Sequence, residues 1–258
     1  MTRLAGKTVV LTGGARGLGR CVTVALAAEG ALVVVTDVVE PVYDLPAGAE
    51  FHRLDVTSPQ DWSELARTLR NRHGPVHGLV SNAGILRSRG PAGRLQHVSL
   101  EDWNALLAVN TTGPLLGIQT VSPLMTEGGS IVNISSVAGA GAHLAAGYGV
   151  SKWALRGLSR IASMELGGAG IRVNSILPGY VETPMQTETP KRFVDAWVSI
   201  APLGRIGTPD DVAPLVTFLL SDESAWITGA DIPVDGGALG HVGLKVIADA
   251  MAAEVGGA

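Results

Sequence analysis

The sequence holds a single cysteine, Cys21, among 258 residues. It can form no internal disulfide and has no His or Cys neighbours at metal-ligand spacing, so its expected place is the apolar face of a helix. Positive charge is not in excess either: 19 Lys and Arg stand against 23 Asp and Glu, a net charge of -4. That balance leaves no basic footprint for nucleic acid or for an acidic membrane surface, and it favours small-molecule partners. Met1 to Lys7 holds no apolar run, and no stretch of about eighteen uninterrupted apolar residues follows, so neither a signal peptide nor a membrane span is expected. The expected location is cytoplasmic.

The length suits one large α/β domain, residues 1–258, better than two ordinary ones. Thr8-Val9-Val10-Leu11 is a β-branched run that meets glycines at once, the pattern of a buried strand entering a phosphate-binding turn. A helix over Gly17 to Glu29 follows. In such a turn the glycines Gly13, Gly17 and Gly19 let the backbone approach a pyrophosphate, while the helix N-terminus offers free N–H groups and partial positive charge. Leu32 to Thr36 is a second buried strand and ends in Asp37, whose carboxylate can accept both hydrogen bonds of an adenosine ribose and repels a 2′-phosphate. That reading favours NAD. Val38 to Ala49, with Pro41 and Pro46 inside, is close to the minimum for a parallel crossover, so the helix expected there is shortened or missing.

Further strands are expected at Glu50 to Leu54, Leu79-Val80, Ser130 to Ile134 and Arg172 to Leu177. Ser58-Pro59 starts a helix to about Arg72. Ser99 begins another, through Trp103, Leu106 and Val109 to Asn110. Thr208-Pro209 opens one to about Leu220. Arg87 to Arg94 reads as a solvated turn beside the cleft, and His143 as a cleft-wall or surface residue. Met185 to Gly207, with Met185, Phe193 and Trp197, reads as a substrate lid. In the tail, 238–258, Leu244 to Met251 is a short amphipathic helix that either packs on a neighbouring subunit or frays.

Tyr148 and Lys152 lie one turn apart on a helix running to Leu166. A phenol titrates near ~10, and an ammonium one turn away favours its ionised form, which is the adjustment an acid/base group for an alcohol requires.

Thr12-Gly13-Gly14-Ala15-Arg16-Gly17-Leu18-Gly19, Ser135-Ser136 after an apolar strand, and Tyr148-Gly149-Val150-Ser151-Lys152 together resemble the short-chain dehydrogenase/reductase family over Thr8 to Gly237. The first of these and Ser151 to Ser159 look most like bacterial NAD-dependent 3α/20β-hydroxysteroid dehydrogenases. The resemblance implies a Rossmann-like, doubly wound parallel sheet of about seven strands with helices on both faces. It implies a catalytic set of Asn110, Ser136, Tyr148 and Lys152, with Ser136 hydrogen-bonding the substrate oxygen and Asn110 placing a relay water. Cofactor contacts are implied at Arg16, Leu18, Asp55, Val56, Asn82, Ala83, Gly84, Pro178, Gly179, Val181 and Thr183, besides Gly13, Gly17, Gly19 and Asp37. Arg16 is a contrary sign, since a basic residue there accompanies NADP in some members; it is expected over the adenosine or on phosphate. Two departures stand out: Ser81 replaces the more usual asparagine, and Ser136 precedes Tyr148 by one residue fewer than is typical.

The implied activity is reversible, NAD-dependent oxidation of a secondary alcohol to a ketone without a metal, on an apolar cyclic or steroid-like substrate, by a homo-oligomer (tetramer or dimer). A 3-oxoacyl-carrier-protein reductase is the alternative enzyme. A non-catalytic dinucleotide-binding sensor is the alternative of another class.

Overall fold

The computed structural model describes residues 2–88, 90–186, 189–241 and 243–255. Thr8–Thr12 is β1, with all five side chains buried. A parallel strand covered on both faces needs apolar side chains on both, which is why the run shows no polar alternation. β2 (Leu32–Asp37), β3 (Ala49–Arg53), β4 (Val76–Ser81), β5 (Met125–Ile134), β6 (Arg172–Pro178) and β7 (Asp231–Val234) complete a parallel sheet in the order β3-β2-β1-β4-β5-β6-β7. The chain moves outward from β1 through β2 and β3, then crosses back to β4 on the other side. At such a switch the connections leave the strand ends in opposite directions and open a crevice at the carboxyl edge of the sheet.

Helices α1 (Gly17–Ala28) and α7 (Pro209–Leu220) cover one face, where Val22, Leu26, Val212 and Val216 pack on Val9, Leu11, Val33 and Val35. α2 (Pro59–Arg72), α4 (Gly113–Val121) and α5 (Ala146–Leu166) cover the other, with Trp62, Leu69, Ile118 and Ala162 against Val10, Val34 and Ile131. The helix starts follow local chemistry. Ser58 accepts from the Asp61 N–H at 3.2 Å with Pro59 at the first helical position, and Thr208 and Asp211 form a reciprocal capping box on α7. No described helix is long and apolar enough to cross a membrane.

Several expectations need correction. β3 lies one residue earlier than predicted, and Leu54 instead bonds the Asp37 carbonyl at 2.9 Å. The helix expected to reach Asn110 unbroken stops as α3 (Leu100–Leu107) and passes through a π-helical turn, Ala108–Thr112, into α4. α5 begins two residues before Tyr148. No helix occurs between Asp37 and Ala49, as the prolines predict. The chain there folds back on the glycine turn, with Val42 N–H on the Ala15 carbonyl at 3.2 Å and the Tyr43 hydroxyl on the Gly14 carbonyl at 3.0 Å.

In the 185–207 segment, α6 (Lys191–Ile200) stands outside the core, while Phe193 and Trp197 lie against Tyr180 at ring separations of 5.7 and 6.3 Å. Thr187 and Glu188 of that segment, Arg89 of the turn after β4, and residues 242 and 256–258 of the tail lie outside the described residues. α8 (Leu244–Val255) runs longer than predicted and packs near α6. Cys21 is half-buried on α1 beside the apolar core, and its thiol donates to Asp210 Oδ1 at 3.1 Å. Burial and the adjacent Asp210 carboxylate push that thiol up to about 12, so it is inert at neutral pH.

Candidate active site

At the carboxyl edge beside the switch lies a cleft of about 770 Å³. Its floor is the turn from β1 into α1. Gly13 takes a φ of +68°, and a Cβ there would stand 2.7 Å from Ala83 Cα; one at Gly19 would stand 2.0 Å from the Gly13 carbonyl oxygen. Only glycine permits that curl, which brings backbone rather than side chain to the cleft. α1 then begins with no side chain capping its first amides and no acidic residue in its first turn. Those N–H groups and the helix dipole remain available to an anion.

Thr12 supports the turn from below. Its hydroxyl accepts from the N–H groups of Asn82 and Ala83, each at 3.1 Å. Asn82 returns the contact through Nδ2, which donates to the carbonyls of Thr12 and Gly13 at 3.0 and 2.8 Å. Asn82 therefore lines the cleft while its amide braces the glycine turn. At the end of β2, Asp37 accepts from Ala15 N–H at 3.0 Å and Val38 N–H at 2.8 Å, which fixes the carboxylate at the cleft edge. Asp55 and Val56 line the next wall, with Asp55 Oδ1 held by the Thr57 N–H and hydroxyl.

The other half of the cleft is built by β4, β5 and α5. Ser136 follows β5 and its hydroxyl accepts from Ala138 N–H at 3.1 Å. A 3-10 turn over Val137–Gly139, with Ser136 as its N-cap, opens the span to Tyr148. The Tyr148 phenol shares the cleft wall with Ser136, whose side chain favours its ionised form. Lys152, 4 % exposed, donates to the Ile134 carbonyl at 2.8 Å, and its Nζ lies 5.8 Å from the centre of the Tyr148 ring. Burial pushes the phenol above its ordinary value, and the Ser136 side chain pulls it back. Burial also pulls the Lys152 ammonium down to about 8. The expectation that the ammonium lowers the phenol is thereby corrected: desolvation sets its direction, and Ser136 is the group that opposes it.

All the predicted cofactor positions, from Gly13 to Thr183, line this one cleft together with Ser136, Tyr148 and Lys152. Asn110 is fully buried behind the wall, within the π-helical turn. His143 does not line the cleft and is exposed, as its surface reading has it; its ring lies 5.5 Å from that of Tyr148, and partial desolvation lowers its pKa. Arg87 lines the mouth and reaches Asp102 at 3.4 Å. Sequence reasoning gave no role to Thr12, Tyr43 or Ser151, each a polar side chain that braces the site. Thr12 could have been suspected as the last hydroxyl before the glycine turn. The other two act through distant partners.

The model of a protein family described as enoyl-(acyl carrier protein) reductase matches residues 13–238. A 3-alpha-(or 20-beta)-hydroxysteroid dehydrogenase of Mycobacterium tuberculosis is 42% identical over 243 residues, covering 91% of this chain and 90% of that protein. A 3-oxoacyl-[acyl-carrier-protein] reductase of Thermotoga maritima is 37% identical over 246 residues, covering 91% and 98%. The crystal structure of gox2181 superposes with a TM-score of 0.86 at 31% identity, covering 92% of this chain and 97% of that one.

Proposed function

The chain belongs to the short-chain dehydrogenase/reductase family of oxidoreductases, and from that premise we propose that it interconverts a secondary alcohol and a ketone with NAD. The family uses a nicotinamide dinucleotide, and the residues present fit one. The cradle at Gly13 and Gly19 that a Cβ would fill, the uncapped start of α1 and the carboxylate at Asp37 are the three features such a molecule needs. Asp37 favours NAD over NADP, because a 2′-phosphate beside a fixed carboxylate is repelled. Arg16, exposed at the start of α1, serves the adenosine or a phosphate.

When bound, the dinucleotide supplies the hydride acceptor or donor. Ser136 holds the substrate oxygen, and Tyr148 takes the hydroxyl proton during oxidation and returns it during reduction. Lys152 holds ribose hydroxyls. Asn110 places the relay water through its backbone, at the turn where the helix ladder is interrupted. The backbone near Val181 and the Thr183 hydroxyl hold the carboxamide, with Pro178 and Gly179 shaping the approach. The observation that carries the reading is the Ser136–Tyr148 hydroxyl pair on the same cleft that ends at Asp37.

An apolar cyclic or steroid-like substrate is supported by Ile85, Leu86 and Met185 along the cleft, by the tilted ring cluster of Tyr180 with Phe193 and Trp197 nearby, and by the hydroxysteroid dehydrogenase relative. The 185–207 segment serves as the lid of this single domain. A homo-oligomer, tetramer or dimer, is supported by Trp153, Ile161 and Met164, which stand exposed on α5. A second reading, 3-oxoacyl-carrier-protein reductase, is favoured by the Thermotoga relative and by Arg87 at the cleft mouth, which suits an acidic carrier. Purified protein assayed with NAD and NADP in parallel against steroid, alicyclic, sugar and acyl-thioester substrates decides between them. NAD-linked turnover of a ring alcohol is the expected result. NADPH-linked reduction of acyl thioesters alone would replace it with the second reading.

A further inference from the structure

A second constellation lies away from the cleft, at the edge of the sheet. β3 is the outermost strand on its side, and strand side chains alternate between faces, so Glu50 and His52 share one. α2 packs on that face, and His73 follows its last residue as the C-cap, with its N–H on the Leu69 carbonyl at 3.0 Å. Three ligating side chains converge there. Glu50 Oε1 lies 2.7 Å from His52 Nε2 and 2.7 Å from His73 Nε2, and one ligand atom from each residue falls within 4.8 Å of the other two. The imidazoles meet edge to face, at 85° with centroids 6.5 Å apart, so their nitrogens converge while the rings do not stack.

His73 distinguishes this cluster from an ordinary surface ion pair. Its side chain is 8% exposed, and Nε2 is buried without a hydrogen bond, because its approach to the carboxylate lacks hydrogen-bond geometry. A buried polar atom is normally partnered. This one instead lies 2.7 Å from a carboxylate oxygen and within 4.8 Å of a second imidazole nitrogen, as the ligands of one ion do. Two imidazole nitrogens and one carboxylate oxygen suit a borderline divalent cation and leave one tetrahedral position for water.

We propose that Glu50, His52 and His73 form a zinc site that ties the C-terminal end of α2 to the edge strand β3. Zinc bonds of about 2.1 Å set tetrahedral ligand atoms about 3.4 Å apart. Glu50, the most exposed of the three at 33%, has room to draw back by the fraction of an ångström required. Arg72 adds positive charge beside Glu50 and weakens the site relative to one built from neutral surroundings. The residues that follow β3, Leu54 and Asp55, line the cleft, so the ion also stiffens the strand leading into it.

Untagged protein, stripped with a chelator, is titrated with zinc chloride in a calorimeter and melted with and without the ion. One zinc per chain at micromolar affinity or tighter is expected, with a melting point raised by several degrees. His52→Ala and His73→Ala each weaken binding at least tenfold and abolish the thermal shift. His52 stands on the sheet edge, 22% exposed, so its variant decides the matter if the buried His73 variant does not fold. No zinc uptake by the stripped protein, or equal uptake by the His52→Ala variant, overturns the site.

Discussion

Asn110 grips the backbone of Ile85 at both of its polar groups: the Ile85 N–H donates to Oδ1 at 2.9 Å, and Nδ2 donates to the Ile85 carbonyl at 3.0 Å. The same Nδ2 reaches Ser151 Oγ at 3.0 Å, and that hydroxyl donates to the Tyr148 carbonyl at 2.8 Å. One side chain in an irregular helical turn therefore ties the loop after β4 to the helix that carries the phenol. Asn110→Ala removes three hydrogen bonds and leaves the Ile85 amide unpaired. The expected loss is about 2–4 kcal/mol in chemical denaturation, with kcat reduced at least tenfold. Unchanged stability would show that the grip is ornamental.

Protonation of the phenol sets the pH dependence. Burial holds Tyr148 above its ordinary value, so phenolate, the base for alcohol oxidation, accumulates only on the alkaline side. Oxidation should keep rising with pH above 8, while ketone reduction, which needs the phenol protonated, stays flat through neutrality. Ser136→Ala removes the contact that lowers the phenol and should move the oxidation profile further alkaline, besides lowering kcat. An oxidation profile that levels off near pH 7 in the parent enzyme would contradict this.

Cofactor choice rests on a fixed carboxylate. Asp37→Asn keeps an oxygen for the Ala15 N–H, bonded at 3.0 Å in the parent, but removes the negative charge. KM for NAD should rise several-fold while that for NADP falls, narrowing the preference by about 10- to 100-fold. Steady-state kinetics with both dinucleotides measures it; an unaltered ratio would assign selectivity elsewhere.

Lys152 carries a stability penalty of its own. Its folded pKa of about 8 lies below the ordinary 10.5. Between those values the unfolded lysine is charged and the folded one neutral, so stability rises with pH across that window, and below pH 8 the native state bears the full penalty of about 3 kcal/mol. Lys152→Met removes the charge at similar length. Losing the charged bond to the Ile134 carbonyl, 2.8 Å in the parent, offsets about 1.5–3 kcal/mol. At pH 7 the variant should therefore be at least as stable as the parent, by up to about 2 kcal/mol, and inactive, as denaturant unfolding beside an activity assay would register. A variant less stable than the parent would refute the burial argument.

Much of this was legible from sequence because the chemistry is local. Thr8 to Gly19 carries its strand, turn and helix start in consecutive residues, and Asp37 follows its strand directly. Pro41 and Pro46 announced the missing helix. What they could not reveal is that Tyr43 returns to the Gly14 carbonyl with Arg20 over its ring, 5.2 Å from the centroid, because that contact depends on how the crossover settles against α1. The π-helical turn escaped for a similar reason. Residues 100–121 have helical spacing throughout, and the irregularity is fixed by partners on another helix, including the Thr111 hydroxyl on the Ser151 carbonyl at 3.1 Å. The direction of the Tyr148 shift was misjudged because residue spacing places a lysine near a tyrosine but says nothing of how deeply both are buried.

The central claim, that one phenol moves the substrate proton, is tested most directly by Tyr148→Phe assayed with NAD and a ring alcohol beside NAD binding by fluorescence or calorimetry. The account predicts turnover reduced at least 100-fold, about 3 kcal/mol or more in the barrier, with the dissociation constant for NAD changed less than about fivefold. Turnover within a few-fold of the parent in a variant that still binds NAD would contradict it.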